Sequence, residues 1–275
     1  MGGIASVLYG VLSYLLFFCT FLYAVVFVGN LPLSDLLAPG LPVLKTIDSG
    51  AAGPLVPALI INIHLLALFA IQHSVMARPA FKRWWTKFVP QPVERATYVL
   101  LVSLTLLLLY WQWRPMPELI WSVSSPGGVA VLQAVFWLGW ALVLISTFLI
   151  NHFELFGLLQ VWARLRGRTL PAPVFKMPSF YKRVRHPIYL GFLLAFWATP
   201  SMTAGHLLFA IGTSGYILLG IYLEERDLIA LFGDQYRAYR QRVPMLIPWR
   251  KAVIDDVTAS PRTIADAPAT SPRMN

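Results

Sequence analysis

The sequence predicts an all-α integral membrane protein of about six transmembrane helices, ending in a C-terminal helical hairpin and a cytoplasmic amphipathic helix. Three observations carry this. Of 275 residues, 57% are hydrophobic and 12% are charged, where a soluble domain carries about 25% charge. Mean hydropathy is +0.65. The apolar residues also fall in runs near the ~20 residues that cross a bilayer, separated by short loops.

The first run is Ile4–Val28. It has no basic n-region and no small-residue cleavage site, so it reads as a retained span. Leu55–Val75 follows a Pro/Gly-rich loop. Ala96–Trp113 ends in Tyr110, Trp111 and Trp113, which suit a membrane–water interface. Val129–Leu149 is the fourth run. The uncharged stretch from His186 to Leu223 is too long for one span and breaks at TPSMTAGH (199–206), so it reads as two helices, about 187–203 and 206–223.

The net charge of +10 could suggest nucleic acid, but its placement suggests a membrane topology instead and no nucleic-acid partner. Arg78, Lys82, Arg83, Lys87 and Arg95 lie between spans two and three. Arg164, Arg166, Arg168, Lys176, Lys182, Arg183 and Arg185 lie between spans four and five. The opposite loops hold only Lys45 and Arg114 as basic residues. Positive loops stay cytoplasmic, so both termini are expected in the cytoplasm of a bacterial cell, with the spans in its inner membrane. Residues 1–250 read as one membrane domain. Residues 251–275 are polar and rich in Pro and Ala, and read as a disordered cytoplasmic tail. Cys19 is the only cysteine, which excludes a disulfide within the chain and a multi-Cys metal site. The five histidines have no repeated ligand spacing, so no metal is expected.

Five polar groups of residues stand at the ends of these runs. Arg185-His186-Pro187-x-Tyr189 opens a span. Pro suits a first helical turn, which places His186 at the helix N-terminus with Tyr189 on the same face. Free N–H groups there favour an anion, and Arg183 or Arg185 could grip a carboxylate. A basic cluster before a Pro helix start explains the same residues. Glu224 and Glu225 close the last span, where adjacent carboxylates are costly unless paired or used. They could meet a ligand cation or the loop arginines. Tyr236 and Tyr239 lie three apart in 231–248, which reads as an amphipathic helix stopping before Pro244. They offer a stacking wall for a ring or a surface-lying helix. Gln72, His73 and Ser74 close the second span, and Asn151, His152 and Glu154 close the fourth. Polar groups at membrane depth suggest function, although water-exposed helix ends carry the same residues.

RVRHPIYLG followed by EERDLIALFGDQYRAYRQRVP resembles the membrane methyltransferases related to isoprenylcysteine carboxyl methyltransferase. The pattern is matched at Arg185, His186, Pro187, Tyr189 and Gly191, at Glu224 and Glu225, and at Gly233, Tyr236, Tyr239, Val243 and Pro244. The stretches QHSVMARPAFKRWW, ERATYVLL, YWQWRPMP and NHFELFGLLQVW are similar to the bacterial methanethiol S-methyltransferases, extending the resemblance over about 55–250. The family position before Tyr181 that is often Gly is Ser179 here.

The resemblance implies methyl transfer from S-adenosylmethionine to a small volatile thiol, methanethiol, giving dimethyl sulfide at the cytoplasmic membrane face. It implies a cofactor-binding part at about 175–248, using Tyr181, Arg183, Arg185, His186, Tyr189, Glu224, Glu225 and Tyr236. On the thiol side a base is needed, because the thiolate is the nucleophile. His73 or His152 is the expected catalytic residue, with Gln72, Ser74 and Asn151 binding the substrate. A substrate this small suggests a closed pocket, and the apolar residues at 153–162 suit one. Other readings remain open from residues alone. They are a lipid or prenylcysteine acceptor, a reductase-like nicotinamide site, or a non-catalytic, haem-associated membrane protein related to nitrite and nitric oxide reduction.

Overall fold

A computed structural model describes residues 2–31, 44–172 and 174–249. The tail expected at 251–275 and loop positions 32–43 lie outside them. The protein is an all-α integral membrane protein. Its long helices are α1 (Gly3–Gly29), α2 (Leu55–Ala77), α4 (Gln91–Gln112), α5 (Pro126–Ile150) and α9 (Ala204–Phe232), and all five are long and apolar enough to cross a membrane. Shorter helices are α3 (Pro79–Trp85), α6 (His152–Leu155), α7 (Leu158–Leu165), α8 (Pro187–Trp197) and α10 (Asp234–Arg242). Proline in the first turn starts α3, α4, α5 and α8, where its missing N–H costs nothing. The Thr203 hydroxyl caps α9 by accepting from the His206 amide at 3.1 Å. Gly233, at φ 56°, ends α9 in a conformation that suits glycine.

The helices run between two ends. At one end lie Gly3, α3, the segment 151–186 and α10. At the other lie Gly29, residues 44–54, residues 113–125 and residues 198–203. The last two groups pair as a small antiparallel ribbon, β1 (Leu119–Ser122) against β2 (Ser201–Thr203). Among the described residues of this second end, the basic side chains are Lys45 and Arg114. The first end carries the arginine- and lysine-rich loops.

The expected fifth span is shorter as a helix than the sequence suggested. α8 has 11 residues, about 16 Å of rise. Residues 198–203 follow in largely extended form, with Ala198, Met202 and Thr203 buried. Backbone without helical bonds is tolerated at such depth when protein covers it, and β1 supplies partners here. α8 also crosses α5 at glycines. A Cβ on Gly139 would lie 2.6 Å from the Gly191 carbonyl oxygen, and one on Gly191 would lie 2.6 Å from that of Gly139. Small residues let membrane helices approach this closely.

The aromatic core fills the second end. Phe27, Tyr110, Trp113 and Phe209 are buried against one another there. The first end is hollow.

Candidate active site

A cavity of about 680 Å³ opens at the arginine-rich end, between α1, α2, α4, α5, α8 and α9. It lies in the ~300–1,000 Å³ range of small-molecule and cofactor sites. The hairpin that precedes it is held from several sides. The Arg185 Nε donates to Glu225 Oε1 at 2.7 Å, and the same guanidinium donates to the carbonyls of Arg240 (2.9 Å) and Val243 (2.6 Å). The His186 Nε2 lies 3.0 Å from Glu225 Oε1. The amides of Arg185 and His186 donate to the carbonyls of Pro244 and Met245. Glu225 therefore ties α8, α9 and the segment after α10 together. Arg185, read from sequence as a ligand clamp, spends three bonds on the protein itself.

Glu224 differs from its neighbour. It accepts from the Tyr189 hydroxyl at 2.9 Å through Oε2, its side chain is 44% exposed, and it lines the cavity. Tyr181 lines the same wall, and its buried hydroxyl has no hydrogen-bond partner among the described residues. Burial holds that phenol well above its ordinary pKa, with Glu224 adding to the shift. Arg78, Lys82, Arg95 and Asp227 complete the mouth. Arg78 is paired with Asp227 at 2.7 Å. Burial pushes the Lys82 amine down, and the Arg95 guanidinium adds to this.

Further in, the His73 Nδ1 lies 2.6 Å from the Tyr216 hydroxyl, which also accepts from Ser74 Oγ at 3.3 Å. The His73 Nε2 has no hydrogen-bond partner among the described residues, and the ring lines the cavity. His152 is held on both sides. The Thr147 hydroxyl donates to the Leu144 carbonyl at 2.7 Å, so it accepts from His152 Nδ1–H at 2.9 Å. The Nε2 of His152 then accepts from the Tyr14 hydroxyl at 2.8 Å. The ring stacks on Phe148 at 4.1 Å, and burial keeps its pKa below the ordinary value.

The cavity thus brings together Tyr181, Arg185, His186, Tyr189 and Glu224 with His73, Ser74 and His152. It does not take in Gln72, Asn151, Arg183, Glu225 or Tyr236. Gln72 reaches the Met76 sulfur at 3.0 Å. Asn151 caps α6 through the Glu154 amide and donates to the Glu154 carboxylate at 2.7 Å. Arg183 is exposed. Tyr236 and Tyr239 form the buried face of α10 against Phe175, with Arg237, Arg240 and Arg242 exposed, so α10 is amphipathic as expected but its tyrosines offer the cavity no ring-stacking wall. Of the stretch 153–162, expected to close the pocket, Leu155 and Phe156 line the cavity together with Phe17, Phe18 and Phe21, while Phe153 and Trp162 are about half exposed. Tyr98, Thr147 and Tyr216 also line the cavity; Tyr98 falls in the ERATYVLL stretch of the resemblance, and no local pattern marks the other two.

A charged mouth for a polar ligand, joined to a histidine at membrane depth, defines a membrane-embedded group-transfer enzyme. The comparisons with known proteins agree in kind. The chain is 60% identical over 246 residues to methanethiol S-methyltransferase 1 of Bradyrhizobium diazoefficiens, covering 90% of this chain and 83% of that one. It is 57% identical to the methanethiol S-methyltransferase of Mycobacterium tuberculosis, over 89% of this chain and 96% of that one. It is 50% identical to that of Crocosphaera subtropica, over 88% and 91%. No family model and no solved structure matches. The chain belongs to the methanethiol S-methyltransferase family.

Proposed function

We propose that the chain methylates methanethiol to dimethyl sulfide, with S-adenosylmethionine as donor, at the cytoplasmic face of a bacterial inner membrane. The observation that carries this is the single cavity holding a polar mouth and His73 together, in a chain 60% identical to a named methanethiol S-methyltransferase. The orientation rests on the arginine-rich loops at the cavity's own end.

The donor set fits S-adenosylmethionine. Glu224 has an oxygen beyond the one Tyr189 occupies, which suits an ammonium or ribose hydroxyls. Lys82 suits a carboxylate, beside an Arg78 already paired with Asp227. The Tyr181 hydroxyl has, among the described residues, none of the partners a buried polar group normally has. When bound, S-adenosylmethionine supplies a methyl group on a cationic sulfur that leaves with the bonding pair. Arg185, His186 and Glu225 brace one another, and Arg185 and His186 line the cavity beside Glu224 and Tyr181.

On the acceptor side, His73 takes the thiol proton. With its own proton on Nδ1, donated to Tyr216, the free Nε2 is the base. Arg78, Lys82 and Arg95 add a positive field that favours the anionic sulfur. Both nitrogens of His152 are occupied, so it shapes the wall and does not carry the proton. Phe17, Phe18 and Phe156 exclude water from the reacting sulfur.

A sealed-vial assay tests the reading, with purified protein, S-adenosylmethionine and methanethiol, and headspace gas chromatography for dimethyl sulfide. Product from the wild type that falls at least 100-fold in Glu224→Ala supports it, a loss of the size expected when a positioning contact goes. A folded protein that binds the donor and makes no dimethyl sulfide would overturn the acceptor. A folded protein that also fails to bind the donor would overturn the whole reading.

A further inference from the structure

The cavity runs deeper than its charged mouth. Along α4 its wall passes from Arg95 through Tyr98 and Val99 to Val102, and along α5 from Ile150 through Thr147 to Val143. Each of these climbs is about 10 Å. At the top the walls are Phe17, Phe21, Val102, Val143 and Phe192, with no charged side chain among them. The charged lining residues, Arg78, Lys82, Arg95, Arg185, Glu224 and Asp227, stay at the mouth. His73 sits between the two zones, its ring 5.5 Å from that of Tyr98.

The proposed substrate is small for this space. Methanethiol has one carbon and one sulfur, needs roughly 60–90 Å³, two or three times the share of a water, and shares the cavity of about 680 Å³ with the donor. The carboxylate, ammonium and ribose of the donor find their partners at the mouth, and the apolar residues deeper in suit either its adenine ring or the hydrocarbon of an acceptor.

We propose that the arm takes the hydrocarbon part of larger thiols, so that the chain also methylates straight-chain alkanethiols and arylmethyl thiols. This rests on the reading of the chain as a thiol methyltransferase. The sulfur reaches His73 while the hydrocarbon lies along Phe17, Phe21 and Val102. A new S–CH₃ bond forms on the acceptor sulfur, using the electron pair of its S–H bond. The S–CH₃ bond of the donor breaks and its pair stays on the donor sulfur. The proton passes to His73 Nε2 and then to water, and nothing is oxidised or reduced.

The test is a ladder of acceptors given to the wild-type protein with S-adenosylmethionine: methanethiol, butanethiol, hexanethiol and phenylmethanethiol, with the methyl thioethers quantified by gas chromatography and mass spectrometry. Burying each added methylene is expected to lower KM about fourfold, until the arm is full. Turnover of methanethiol with none of the larger thiols methylated would overturn this inference and leave the proposed function standing. No turnover of any thiol would overturn both. Where the ladder is positive, Val102→Phe narrows the arm. The ratio of kcat/KM for hexanethiol over methanethiol is then expected to fall at least tenfold. An unchanged ratio in folded Val102→Phe, or a loss of donor binding there, would show that the arm does not hold the acceptor.

Discussion

At the scale of single residues, the two histidines read alike in sequence and differ in structure. His73 keeps Nε2 free, whereas His152 has both nitrogens taken by Thr147 and Tyr14. His73→Ala is therefore expected to lower kcat by about 10²–10⁴ at neutral pH, the span of general-base catalysis. Because hydroxide can replace the base by ionising the thiol, the variant's rate should climb about tenfold per pH unit below the thiol pKa. A rate in His73→Ala equal to wild type would remove the base from the mechanism. For His152 the consequence is stability. Its folded pKa lies below the unfolded value of about 6.5, so the unfolded chain binds more protons in acid. Its contribution is present above pH ~6.5 and is lost as pH falls below it. Melting temperature should drop between pH 7 and 5 more in the wild type than in His152→Gln, and equal slopes would contradict this. Glu225 is 8% exposed and faces Arg185 and His186. Glu225→Gln leaves a buried cation unpaired and should cost about 3 kcal/mol, read as a lower melting temperature. An unchanged melt would show that the clamp is not structural.

At the scale of elements, the sequence revealed the long helices because their apolar runs are uninterrupted. It also revealed where the hairpin starts, at Pro187, but the Glu pair at 224–225, read as its end, lies inside α9, which runs on to Phe232. It did not show that 198–203 is extended. An apolar stretch states that a segment is out of water, while its conformation depends on β1, some 80 positions earlier in the chain. The same limit hid Tyr14 and Tyr216. A lone tyrosine in an apolar run has no periodic signal, and its role comes only from the histidine it meets across the bundle. Tyr236 and Tyr239 misled in the opposite way. Their spacing fits a ring-stacking wall, but Phe175 covers them. The α5–α8 crossing gives an element-level expectation. Gly139→Ala puts a methyl group 2.6 Å from a backbone oxygen and should destabilise by about 1–3 kcal/mol. An unaltered melting temperature would mean that the helices part at no cost.

At the scale of the whole molecule, charge and cavity point the same way. The end rich in arginine and lysine is the end at which the cavity opens, so under the proposed orientation and donor a water-soluble charged molecule would meet it from the cytoplasm and an apolar thiol would partition from the bilayer. In a Cys19→Ser background, Glu118→Cys should react with a membrane-impermeant maleimide in intact cells, and Arg83→Cys only after permeabilisation. The reverse pattern would invert the topology. The central claim is that one cavity passes a methyl group from donor to thiol. The most direct measurement is mass spectrometry of headspace dimethyl sulfide formed by the purified protein from S-adenosylmethionine bearing a trideuterated methyl group. The account predicts dimethyl sulfide carrying one labelled methyl. Unlabelled dimethyl sulfide, or none from protein that binds the donor, would contradict it.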